Sequence, residues 1–123
     1  MVSRKLALLV VWPGPLREAL RTLMASIPEV QVTGEVGDTP SALGMMSEHL
    51  PDLVLIDADL PGREAWRTLK QMKEQWPQVR CVVLTDHSCQ QQKAKAAHAD
   101  AVLQKGMPPT LLVQAIERLL SKQ

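Results

Sequence analysis

The chain contains no phenylalanine and no tyrosine, and its aromatic complement is three tryptophans. Any role that needs a phenyl or phenol ring is closed to it. It has two cysteines, Cys81 and Cys89, in no CxxC arrangement, and two thiols build no disulfide framework. Cys81 opens an apolar run and reads as a small core residue. Cys89 follows a polar turn and reads as an exposed thiol with no catalytic neighbours. A reducing, cytoplasmic setting fits this usage. An excess of charge of one sign is also missing: the net charge is +1, with lysine and arginine scattered along the chain. No electrostatic footprint for nucleic acid results, so direct DNA contact falls to a partner or another domain.

Long apolar runs are absent too, and no stretch is long enough to span a membrane. Leu6–Trp12, behind Arg4 and Lys5, is short for a signal peptide, lacks an A-x-A site and stops at Pro13-Gly14-Pro15. It reads as a buried first strand. There is no G-x-S-x-G and no glycine-rich phosphate loop. Asp86-His87-Ser88 are neighbours in sequence, whereas a triad needs spatial convergence. His49, His87 and His98 share no metal-ligand spacing. The chain is not read as an enzyme.

What is present is an alternation. At 123 residues the chain makes one domain, able to bury roughly two thirds of its unfolded surface. Leu6–Val11 reads as a strand, and Leu16, Ala19, Leu20, Leu23, Met24 and Ile27 then follow helical spacing. Pro28 ends that helix, and Val30–Val36 alternates like a less buried strand. Asp38-Thr39-Pro40 caps a helix through about His49, with Met45, Met46 and Leu50 inward. Leu53–Asp57 is an apolar strand ending in an acid, closed by Pro61-Gly62. Ala65, Leu69, Met72 and Trp76 form a helical stripe, bordered by Trp66 and ended by Pro77. Cys81–Leu84 is a strand running into Thr85. Ser88 caps a helix to Ala97, Ala101–Leu103 is a last strand, and a final helix from Pro108 or Pro109 buries Leu111, Leu112, Ala115, Ile116 and Leu119. The helix at 88–97 offers only alanines for packing and is expected to be the most mobile. Five strand–helix units imply a parallel sheet covered on both faces.

In such a sheet Asp57, Thr85 and Lys105 reach one carboxyl edge, where open α/β sheets hold ligands. A carboxylate nucleophile, a hydroxyl and an ammonium there suit a phosphoryl group.

The residues LVLIDADLPG at 53–62, VVLT at 82–85 and the lysine of AVLQKGMPP at 101–109 resemble the receiver domain of two-component response regulators. LREAL at 16–20, GEVGD at 34–38 and PDLVLID at 51–57 are most similar to its NarL/FixJ branch. The resemblance implies a flavodoxin-like (βα)5 fold, doubly wound, with strand order 2-1-3-4-5, over 1–123 and with no output domain in the chain. It implies Asp57 as phosphoacceptor, Thr85 as switch hydroxyl and Lys105 as phosphate-binding lysine. It also implies a histidine kinase upstream and a helix-turn-helix output domain or other regulatory protein downstream.

Two departures accompany it. The family's adjacent acids ending the first strand, which help hold Mg²⁺, are here Val11-Trp12. Neither side chain supplies a carboxylate, so no cofactor is expected and Mg²⁺ binding is weak or absent, with Asp57 and Asp59 the residual donors. Asp59 and Asp86 are expected to face solvent as loop acids. The family's switch aromatic is Val102, which is stiff and small. The alternative reading is thus a degenerate receiver, a phosphorylation-independent interaction or dimerisation module in which Lys105 pairs with Asp57. Trp12 either fills the metal space or packs on the loop edge. Val113 and Leu120, outside the last helix's core stripe, make a candidate homodimer face with the first helix.

Overall fold

The computed structural model describes residues 4–60, 64–86 and 97–121. Five parallel strands form one sheet: β1 (Lys5–Val10), β2 (Val30–Val36), β3 (Leu53–Asp57), β4 (Arg80–Thr85) and β5 (Ala101–Gln104), in the order β2-β1-β3-β4-β5. Among the described residues four helices cover it: α1 (Pro15–Ala25), α2 (Thr39–Glu48), α3 (Ala65–Gln75) and α4 (Pro109–Ser121). The expected helix at 88–97, with its mobility, and the Pro61-Gly62 turn fall outside the described residues, as do His87, Ser88 and Cys89.

Each boundary has a local cause. Pro15 opens α1 at a position whose N–H would lack a partner in any case. Asp38 caps α2, its Oδ1 accepting from the Ser41 N–H at 2.8 Å. That bond to the backbone, with the Ser41 side chain, holds the Asp38 carboxyl below its ordinary value. β1, β3 and β4 carry continuous apolar runs because side chains alternate between two covered faces. Leu8, Val10, Val54, Ile56, Cys81 and Val83 meet Ala42, Met46, Leu69 and Met72 from α2 and α3. Ala7, Leu9, Leu53, Leu55, Val82 and Leu84 meet Leu20, Met24 and Ile116 from α1 and α4. Burial pushes the Cys81 thiol up to about 12, so it is inert packing.

The edges depart from the expected stripes. β5 is short and half-buried, and of α4 only Ile116 is fully buried. Leu111, expected inward, is 42% exposed, while Val113 and Leu120, expected outward, pack partly against the core. A helix over a short edge strand has little sheet to cover, so its inner stripe is spread over more residues. Leu50 and Ala19 are also exposed.

At the amino end of the sheet, the Lys73 Nζ donates to the Pro77 and Val79 carbonyls at 3.0 and 2.8 Å and to Asp100 Oδ2 at 2.9 Å. Asp100 Oδ2 also accepts from the Cys81 N–H at 2.7 Å. This ties α3 to the starts of β4 and β5. Lys73→Met leaves the Asp100 carboxylate with the Cys81 N–H and the Arg80 guanidinium at 3.8 Å, and urea unfolding is expected to show a loss of about 2 kcal/mol, that of hydrogen bonds to a charged group. Arg21→Met, which breaks the exposed Arg21–Glu35 pair, is expected to lose far less. Equal losses would contradict this ranking.

Candidate functional site

The carboxyl edge is built by register. Asp57, the last residue of β3, pairs with Leu84 of β4, and Thr85 follows it. Thr85 pairs with Gln104, and Lys105 comes next. The Lys105 N–H donates to the Thr85 carbonyl at 2.8 Å, which fixes the turn leaving β5. Gly106, with φ at 86°, supplies the left-handed backbone that continues it.

This geometry brings the Lys105 ammonium to Asp57 Oδ1 at 2.6 Å, Asp59 Oδ2 at 3.1 Å and Asp86 Oδ2 at 3.6 Å. Asp57 Oδ1 also accepts the Asp59 N–H at 2.9 Å. Both donors sit on one carboxylate oxygen, and no described residue bonds the other. Partial burial disfavours the Lys105 charge, but hydrogen bonds from Lys105 to Asp57 and Asp59, with their charges, outweigh it and raise its pKa above the ordinary lysine value. Thr85 is fully buried, and its Oγ1 has no hydrogen-bond partner among the described residues. Such a hydroxyl is costly to leave unpaired.

The sequence-predicted trio therefore meets at one edge. Asp59 and Asp86 were expected to face solvent; both are exposed, and both also reach Lys105. The signal was available, since each acid lies within two residues of a strand end on that edge. Ammonium attraction recruits loop acids that retain partial solvent access.

The altered positions fall elsewhere. Val11 is buried, and its carbonyl accepts Arg17 Nε and Nη2 at 2.8 and 2.5 Å. Sequence reasoning missed this clamp. Trp12 is 57% exposed. Its ring leans over Gly37, where a Cβ would stand 3.2 Å from Trp12 Cε3. Of its two expected placements, the loop edge is the one found. Val102 pairs with Val83 and packs on the core side of α2 and α3.

A divalent ion does not fit this donor set. No acid stands at 11 or 12, the Val11 carbonyl is taken by Arg17, and Asp57 and Asp59 are held by Lys105. Among the described residues no group of three or more histidines, cysteines or acids is arranged to hold a metal.

Residues 14–117 match the profile of the response regulator receiver domain. The chain belongs to that family. The receiver is 30% identical to a LuxR-family two-component response regulator from Aurantimonas sp. SI85-9A1, whose crystal structure superposes with a TM-score of 0.89 over 97% of this chain and 86% of that one. It is 33% identical over 85 residues to the transcriptional regulatory protein YhcZ of Bacillus subtilis, covering 69% of this chain and 40% of that protein. It is 29% identical over 105 residues to the nitrate/nitrite response regulator NarL of Escherichia coli K12, covering 84% and 49%. The receiver thus spans less than half the length of these two curated relatives. Its fold is the flavodoxin-like one, in the expected strand order. No described helix is long and apolar enough to cross a membrane.

The raised Lys105 pKa fixes a sign. Its stabilisation is fully present below the unfolded lysine pKa of about 10.4 and is lost as pH rises through the folded value. The stability difference between the receiver and Lys105→Met is expected to hold from pH 7 to about 10, then shrink. A difference that stays constant through this alkaline range would remove the ammonium from the account.

Proposed function

We propose that this receiver is the regulatory part of a NarL-type transcription regulator, acting on a helix-turn-helix output segment through its own surfaces. It works mainly as a phosphorylation-independent module. The observation that carries this is the Lys105 ammonium on Asp57, Asp59 and Asp86, with no metal donor at Val11 or Trp12. Phosphoryl transfer depends on a metal to neutralise oxygen charge; here the cation at the acceptor is built into the chain.

A second reading has its own observation. Asp57 Oδ1 is pinned, while no described residue bonds Oδ2, which leaves one nucleophilic oxygen open. In that reading Asp57 Oδ2 attacks a phosphoryl group from a histidine kinase, and the donor's bond to phosphorus breaks. Lys105 and Thr85 then hold the transferred oxygens.

Intact mass after incubation with acetyl phosphate and Mg²⁺ separates the two. The first reading expects no stoichiometric gain of a phosphoryl group. A stoichiometric gain, abolished by Asp57→Asn, would overturn it and establish Asp57 as the phosphoacceptor.

A further inference from the structure

The absence of phenylalanine and tyrosine has a spatial counterpart. Trp66 and Trp76 pack on the α2 and α3 side, and Trp12 lies on the loop edge. No aromatic ring remains for the opposite layer, between α1 and α4. There a cleft of about 480 Å³ opens down to the sheet. Its floor is Leu84 and Leu103, α1 contributes Leu16, Ala19 and Leu23, and Met107 stands at its rim. Volume and lining are those of a small-molecule site.

We propose that this cleft binds a small, uncharged, predominantly apolar molecule. Charge selects the class. Lys105 also lines the cleft, but its ammonium is already shared among three carboxylates. Glu18 stands on the other wall. An anionic head group therefore meets fixed negative charge, with no cation other than Lys105 among the described lining residues to offset it. Gln104 and Thr22 in the lining supply neutral hydrogen-bonding groups.

The position gives such a ligand a consequence. Leu84 is the register partner of Asp57, and Lys105-Gly106-Met107 form one wall. Met107 Sδ accepts the Gln104 N–H at 3.2 Å, so the wall is one folded turn. A molecule against it fixes the turn that carries the Lys105 grip on Asp57. This inference holds however Asp57 itself is used.

The test is a fluorescence titration with N-phenyl-1-naphthylamine, a neutral apolar probe, on the receiver, Ala19→Leu and Ala25→Leu. Leucine preserves helix propensity; at 19 it enters the cleft, and at 25 it does not line it. Saturable binding of one probe per chain is expected, about tenfold weaker in Ala19→Leu and unchanged in Ala25→Leu, with no displacement by naphthalene-1-sulfonate. Absence of saturable binding would overturn the proposal, as would equal binding by all three proteins or displacement by the sulfonate. Loss of binding as the receiver dimerises with concentration would also overturn it, assigning the cleft to a second copy.

Discussion

The Lys105 ammonium organises the carboxyl edge of the sheet, because three carboxylates from two loops and one strand end converge on it. Asp57, Asp59 and Asp86 repel one another at these distances, and an uncompensated cluster of this kind resists being held at a half-buried edge. One cation reverses that balance. The lysine is placed by backbone geometry, through its N–H on the Thr85 carbonyl, so the site is assembled by strand pairing rather than by a ligand.

That constraint connects fold to function. Parallel pairing delivers Asp57, Thr85 and Lys105 to one edge, and the residues at 11 and 12 carry no side-chain oxygen. Arg17 then takes the Val11 carbonyl, and Trp12 leans outward over Gly37. Val11 is thereby tied to α1, and Trp12 to the backbone at Gly37. Among the described residues, the buried side-chain group without a hydrogen-bond partner is the Thr85 hydroxyl.

Much of this was legible in the residues. Continuous apolar runs at 53–56 and 81–84 identify central parallel strands because both faces are covered, and Val30–Val36 was bounded correctly by its alternation. That Asp57 and Lys105 share one edge followed from the parallel alternation, and their ion pair was one of the two readings offered for Asp57. Other features depend on three-dimensional competition that periodicity does not encode. Leu111 and Leu50 look inward by spacing, but the edge of the sheet offers them nothing to cover. Asp59 and Asp86 look like solvent acids until a neighbouring ammonium is placed beside them. The Arg17 clamp required knowing that the chain turns back over the end of β1.

An internal counter-ion requires Asp57 and Lys105 to be energetically coupled rather than merely adjacent. A double-mutant cycle measures this, from the unfolding free energies of the receiver, Asp57→Asn, Lys105→Met and the double variant. A coupling energy of about 1–3 kcal/mol at neutral pH is expected for partners in contact within one network. Losses that add to within about 0.3 kcal/mol, as for distant sites, would contradict the internal counter-ion at the centre of this account.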